Sequence, residues 1–297
     1  MRTPPIRVSL LGAFLVCCSL NLGAQTWDAA TRAQSWAKQD KDDSFTFHDP
    51  GARVLHTWMR EGGVSGSVSL AKLEGAPERW LVDPRNTAWV AQGTTLTQLD
   101  QSGRILTTVK LPAEVGDLCW DVKGFVLSYR TPEPFLEKRD FKGNLLWSFG
   151  PKGQKSSSSQ YRRPVVTDDM GLVAMADGPS LNLSVLDGET GKKVRETAML
   201  LGSGQPAPAL EGSPTDRGPL VTWPGKSIVL AALKATQIPA AQRDTIQGLA
   251  LARLDLLKSR VEFLSTGLDE THILIGVLEG DAVFVNPKGG LLLVKLK

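Results

Sequence analysis

The chain has 297 residues, with 34 Lys and Arg against 31 Asp and Glu, a formal charge of +3 and three cysteines. A balance this near neutral, with its charges interspersed, gives no electrostatic footprint for nucleic acid or anionic lipid. Only Cys119 lies beyond residue 24, so no disulfide framework can staple the fold.

Arg2 and Arg7 precede an apolar run over residues 8–22 that closes on Leu22-Gly23-Ala24. This is the pattern of a secretory signal peptide at residues 1–24, cleaved after Ala24, and it predicts an exported chain, periplasmic or extracellular. The run is shorter than the ~20 residues of a membrane span, and no later stretch reaches that length. Lipid attachment at Cys18 would need small residues where Val16 and Cys17 stand. Cleavage removes two bases and no acid, lowering the formal charge from +3 to +1.

Across residues 25–43, Trp27, Ala30, Ala33, Trp36 and Ala37 recur at helical spacing, and Lys38 to Asp43 make a solvated end. That spacing predicts an amphipathic N-terminal helix. From Ser44 the period becomes two, and residues 44–297 read as one all-β domain. Residues 44–58 form a hairpin about Asp49-Pro50-Gly51, followed by a Gly/Ser-rich connection over 60–77. A first complete unit, 80–111, has strands at 80–82, 88–91, 96–99 and 105–109. A second, 118–149, has strands at 125–128 and 145–149, and a third, 164–199, at 172–176, 181–186 and 193–197. A fourth, 219–265, has strands at 228–232, 249–254 and 260–264, and a last unit, 271–296, stops after a strand at 291–296. Equivalent second strands predict buried Trp89, Val126, Val173, Val229 and Val283. Cys119, in the run Leu118-Cys119-Trp120, is predicted buried as a small hydrophobe.

One phrase punctuates these units: Asp100-Gln101-Ser102-Gly103-Arg104-Ile105-Leu106, Asp140-Phe141-Lys142-Gly143-Asn144-Leu145-Leu146, and Asp49-Pro50-Gly51-Ala52-Arg53-Val54-Leu55. A looser copy runs over residues 187–194. Each is a hairpin turn in which Asp bonds the backbone and Gly supplies a positive φ. A second hairpin lies upstream, at 82–84, 120–124 and 167–171. Such two-hairpin units, roughly forty to fifty residues apart, are the signature of four-stranded β-propeller blades. Five blades are counted. The orphan N-terminal strand, 53–58, is expected to complete the C-terminal blade beside 291–296, because an open apolar edge is an aggregation hazard.

Glu61-Gly62-Gly63 and Leu73-Glu74-Gly75-Ala76-Pro77, leading into Trp80-Leu81-Val82-Asp83-Pro84, resemble the linker and first strand of NHL-type, TolB-like propeller repeats. Gly150-Pro151-Lys152-Gly153, leading to Arg163-Pro164-Val165-Val166-Thr167-Asp168, resembles the same element. The likeness runs over residues 46–199 and implies a propeller for which six blades are also possible.

Propeller sites lie at the mouth of the central channel, among the residues just before the innermost strands. Here these are Glu78, Arg79, Asp117, Arg163, Arg217, Glu270 and His272. Alternating acids and bases make either a polar pocket or a self-neutralising channel. The reading is a binding or scaffolding module for a protein or a small polar ligand, with no metal and no other cofactor. The alternative comes by resemblance: gluconolactonase-like propellers hold a divalent cation such as calcium on channel carboxylates and an Asn, polarising a lactone carbonyl. Streptogramin-lyase-like propellers use a channel histidine, and of His48, His56 and His272 only His272 falls at the mouth. Residues 152–163 form a basic loop that reads as an exposed connection between blades, with a docking loop as the alternative. No phosphate-binding Gly loop, His-Glu-x-x-His or Cys-x-x-Cys is present.

Overall fold

A computed structural model describes residues 38–41, 44–59, 63–83, 85–130, 135–150, 165–168, 171–176, 183–197, 201, 220–287 and 290–296. Their strands make six antiparallel sheets, each following chain order from one edge to the other. Blade 1 holds β1 (Lys38–Lys41), β2 (Ser44–Asp49), β3 (Val54–Met59) and β4 (Gly63–Ser69). Blade 2 holds β5 (Arg79–Val82), β6 (Ala88–Gln92), β7 (Thr95–Leu99) and β8 (Ile105–Lys110). Blade 3 holds β9 (Val115–Asp121), β10 (Gly124–Tyr129), β11 (Leu136–Asp140) and β12 (Leu145–Phe149). Blade 4 holds β13 (Val165–Thr167), β14 (Leu172–Ala176), β15 (Leu183–Asp187) and β16 (Lys193–Thr197). Blade 5 holds β17 (Val221–Trp223), β18 (Ile228–Leu233), β19 (Ala250–Asp255) and β20 (Arg260–Ser265). Blade 6 holds β21 (Ile273–Leu278), β22 (Asp281–Val285) and β23 (Leu291–Lys295). The protein is a six-bladed β-propeller.

The middle strands read as apolar on both faces because each sheet is covered twice. In β18, Val229, Ala231 and Leu233 face blade 4, while Ile228, Leu230 and Ala232 face blade 6. One apolar cluster fills each of the six seams, so the core is distributed around the ring. Trp89, Val126, Val173, Val229 and Val283 are all buried, as is Cys119. Because both faces are covered, their neighbours in these strands are buried too, so burial here reports the double cover rather than the register.

The repeated phrase does two jobs. Asp140 Oδ1 accepts the Lys142 and Asn144 N–H groups at 2.8 and 2.9 Å, and Gly143 takes φ +88°. The glycine also lets the turn meet the preceding blade: a Cβ on Gly143 would stand 3.0 Å from Trp89 Cη2, and one on Gly191 2.7 Å from Trp147 Cδ2. Seam packing, as much as backbone dihedral, therefore demands glycine. The Asp49 copy departs from this, since Arg53 rather than Gly51 takes the positive φ, at 54°.

The first blade corrects three expectations. Lys38–Lys41, read as the end of a helix, is strand β1, paired with β2; the rest of that helix and the signal segment lie outside the described residues. The presumed connection contains β4. Strand β3 pairs with β2 and β4 and not with β23, so five blades become six. Closure comes instead from packing, with Phe45 and Phe47 of blade 1 against Ile275, Leu278, Val283 and Val285 of blade 6. Apolar faces close a ring without a shared sheet.

Blade 1 is also laid in the reverse sense. Strand β8 ends beside the β6–β7 turn, where Leu111 N–H donates to Thr94 O at 2.8 Å. Strand β4 instead ends at the Asp100 turn, where Ser69 N–H donates to Gln101 O at 3.1 Å. The Asp49 and Asp100 phrases thus lie at one end of the molecule, which accounts for their gapless match. The end carrying these turns is called the exit face below. The other, where β5, β9, β13, β17 and β21 begin, is the entry face.

Candidate functional site

The entry face gathers the charged residues that flank the inner strands. Arg79 opens β5 and reaches sideways to blade 3: its Nε donates to Gly116 O at 3.0 Å and lies 3.7 Å from Asp117 Oδ1. Asp117 is aimed by an irregularity in β9, whose register against β10 shifts between Ser128 and Tyr129. Its Oδ1 accepts the Leu118 N–H at 2.9 Å and its Oδ2 the Val165 N–H at 3.1 Å. One arginine–aspartate pair therefore ties blades 2, 3 and 4 together around the channel mouth.

Glu78, one residue earlier, stays outward. Its Oε1 accepts the Gly93 N–H at 3.2 Å, and its Oε2 lies 3.8 Å from an Arg130 nitrogen. A second Arg130 nitrogen lies 3.4 Å from Glu114 Oε2, and Arg130 N–H donates to Glu114 O at 3.0 Å. Arg130 and Glu114 were missed by sequence reasoning, which looked only at residues leading into inner strands. Their signal was topological: β10 runs back antiparallel to β9, so the first charge after Tyr129 returns to the same mouth. Half-exposed pairs of this kind stabilise by at most ~1 kcal/mol each, so their value lies in position.

On the blade 6 side, His272 is buried, with Nδ1 at 3.0 Å from Asp269 Oδ1 and 3.2 Å from Asp269 O. Asp269 Oδ1 also accepts the Thr271 N–H at 2.8 Å and the Thr271 hydroxyl. The Thr271 hydrogen bonds first, and His272 after them, hold the Asp269 carboxyl below the usual carboxylate range. Glu270 lies between the two partners, half-exposed. Glu78, Arg79 and Asp117 thus come together with Glu114 and Arg130, while Glu270 and His272 belong to a separate Asp269–His272 group. Arg163, Arg217 and the basic loop at 152–163 lie outside the described residues. His48 and His56 sit in blade 1 against Trp80 and Phe47, away from this group. Among the described residues no group of three or more His, Cys, Asp or Glu is arranged to hold a metal ion.

No family model and no curated protein matches the chain. Solved structures do. Virginiamycin B lyase from Staphylococcus aureus superposes with a TM-score of 0.58 and 10% identity, covering 88% of this chain and 80% of that one. A Bacteroides fragilis protein assigned as exported gives 0.51 and 9%, covering 89% and 90%. A streptogramin B lyase gives 0.50 and 11%, covering 93% and 96%. At these identities the likeness concerns the β-propeller fold alone.

Proposed function

We propose that this chain is an exported binding or scaffolding module whose entry face holds a protein or a small polar ligand, without a cofactor. The observation that carries the reading is the Arg79–Asp117 pair, which is committed to Gly116, Leu118 and Val165 across three blades. Its charges hold the mouth in shape, and the more exposed Glu78 and Glu114 are left to recognise hydroxyl or amine donors. Export is supported by the signal pattern of residues 1–24. The test is calorimetric titration of the full chain with basic peptides, acidic peptides and neutral sugars. Binding that is lost in Glu78→Gln/Glu114→Gln supports the reading; binding unaffected by that pair of substitutions removes the entry face from it.

A second reading, a metal-dependent lactonase or lyase, is favoured by the Asp269–His272 pair, because a carboxylate-oriented imidazole is the arrangement of a general base. The fold is also that of virginiamycin B lyase. Incubation with quinupristin, with and without calcium, followed by chromatography and mass measurement tests it, since ester hydrolysis adds one water whereas elimination gives a separable product of unchanged mass. Ring opening abolished by His272→Ala would replace the binding-module reading with an enzyme.

A further inference from the structure

We propose that the exit face docks on the surface of a membrane containing anionic phospholipid. The proposal starts from a bulge. In blades 2, 3 and 4 the outermost strand slips one residue against its neighbour: Gln98 pairs with Thr107 but Leu99 with Ile105, Lys138 with Trp147 but Arg139 with Leu145, and Val185 with Arg195 but Leu186 with Lys193. The extra residues are Leu106, Leu146 and Val194, each about half exposed, and Ile105 and Leu145 beside them are exposed too. A bulge leaves its extra residue unpaired and re-aims it, so nothing in the ladder requires an apolar side chain there. Three blades nevertheless place Leu, Leu and Val at that point.

Two further apolar residues crown turns on the same face. Val122, at the β9–β10 turn, is 68% exposed, and Leu257, at the β19–β20 turn, is 60% exposed. Isolated exposed hydrophobes need no explanation, but a set repeated at equivalent positions along one rim does.

Charge is layered around this rim. The turn aspartates face inward as backbone acceptors: Asp100 Oδ1 takes the Arg104 N–H at 2.9 Å, and Asp255 Oδ1 takes the Leu257 and Lys258 N–H groups at 3.0 and 2.9 Å. The neighbouring cations face outward. Arg104 precedes Ile105, Lys123 follows Val122, Lys142 sits in the Leu145 turn, Lys192 precedes the Val194 bulge, and Lys258 follows Leu257; all five are exposed. Arg104, Lys123 and Lys258 are ion-paired with Asp100, Glu189 and Asp255, which offsets their charge, so lipid phosphates would have to compete with these carboxylates, while Lys142 and Lys192 add exposed positive charge beside them. Apolar side chains that enter the acyl boundary, each beside a cation at phosphate level, match an anionic lipid surface. The near-neutral composition conceals this, because the turn aspartates are taken up as backbone acceptors while the cations are exposed; Glu189 and Glu279 are the exposed acids on this face among the described residues. Docking here would leave the entry face turned away from the membrane.

The test is vesicle co-flotation of the full chain with phosphatidylcholine alone and with phosphatidylcholine plus phosphatidylglycerol. Two variants accompany it, Leu106→Glu/Leu146→Glu/Leu257→Glu and Arg104→Glu/Lys142→Glu/Lys258→Glu. The N-terminal apolar run is common to all three proteins, so differences among them report the rim. The expected result is binding that requires phosphatidylglycerol and weakens about tenfold or more in either variant. Val122→Asp, at a turn tip away from the outer strands, is expected to weaken binding with its melting curve unchanged, which guards against misfolding of the triple variants. Equal flotation of wild type and variants, or no flotation of the wild type, overturns the proposal. So does self-association of the wild type in sedimentation that the Leu→Glu variant abolishes without any vesicle binding, since the occupant would then be a second copy.

Discussion

Strands β11 and β19 hold the same place, third from the channel, hydrogen-bonded along both edges and covered on both faces. Strand β19 reads Ala-Leu-Ala-Arg-Leu-Asp and fills its seams with apolar volume; its Arg253 leans out over Trp223, 5.6 Å from the ring centre. Strand β11 reads Leu-Glu-Lys-Arg-Asp, and its Glu137, Lys138 and Arg139 are nonetheless buried. Toward blade 2, Glu137 Oε2 takes the Tyr129 hydroxyl at 2.6 Å and Arg139 at 2.7 Å, while Arg139 also donates to Gly143 O at 2.9 Å. Toward blade 4, Lys138 Nζ meets Asp121 Oδ1 and Gly188 O, both at 2.7 Å. Burial of the Tyr129 ring, then its bond to Glu137, pushes the phenol well above its ordinary range. A propeller seam thus asks for filled volume and satisfied polar atoms, and hydrophobicity is only the commonest way to supply both. The ion pairs are directional and fit one neighbour, whereas an apolar seam tolerates repacking.

The most damaging single change lies in blade 3. Glu137→Leu removes the acceptor of both Tyr129 and Arg139 and leaves a buried cation, an expected loss of ~3–5 kcal/mol by urea unfolding. A loss below that of an ordinary surface substitution would mean that water reaches Arg139. Next comes the combined Tyr129→Phe/Glu137→Leu/Arg139→Met, which converts this seam to the chemistry of blade 5. With all partners removed together, stability should return to within about 1–2 kcal/mol of wild type. If the triple variant stays as unstable as the single one, blades 3 and 5 are not interchangeable and the comparison fails.

The same contrast explains what could be read in advance. Blade 5 was legible: strands predicted at 228–232 and 249–254 match β18 and β19 to within a residue at either end, because a doubly covered strand announces itself as an apolar run. Strand β11 gave no such run, and only its flanks, Asp140-Phe141-Lys142-Gly143 and Leu145 to Phe149, located it. Blade 1 failed for a different reason. The Asp49 phrase was matched correctly to the Asp100 turn, but a phrase fixes a turn, not the sheet to which its strands belong. Partner choice was decided by packing against blade 6, to which no local pattern points. At the entry face, Glu78, Arg79 and Asp117 could be placed near one another because the starts of the inner strands are countable, although Arg79 and Asp117 lie within β5 and β9 rather than before them; Arg130 entered through the return of β10, which takes a register to see.

Turn glycines provide a smaller perturbation shared by both seam types. Gly143→Ala combines a φ of +88° with a Cβ 3.0 Å from Trp89 and 3.1 Å from Val109, at the charged blade 3 seam. Gly225→Ala, in the blade 5 turn, has φ +70° and open space around it. The expected losses are ~1–3 kcal/mol for the first, from strain and clash together, and ~1 kcal/mol for the second, from strain alone. Equal melting shifts would show that dihedral alone selects glycine here and that the turn does not gauge the spacing between blades.

The gentlest test uses protons, because blades 3 and 5 hold no histidine while blade 1 holds two. His48 lies against Trp80 and His56 against Phe47, and the His56 Nδ1 is buried without a hydrogen-bond partner. Burial pulls both rings below the ordinary histidine value, more strongly than nearby Asp49 raises them. The folded state therefore prefers them neutral, and the unfolded chain takes up protons first, near pH 6.5. Their contribution is complete above that pH and is lost as the pH falls through the lowered folded values. Denaturation midpoints should thus decline from neutral pH toward acid, and His48→Gln/His56→Gln should flatten that decline without steepening it anywhere. Because blade 1 meets blade 6 through an apolar cluster and shares no sheet with it, the loss should appear first as faster exchange of the β2 and β3 amides, with β10, β11, β18 and β19 still protected. A uniform loss of protection in all six blades would show that the closing seam is no weaker than the seams held by buried ion pairs.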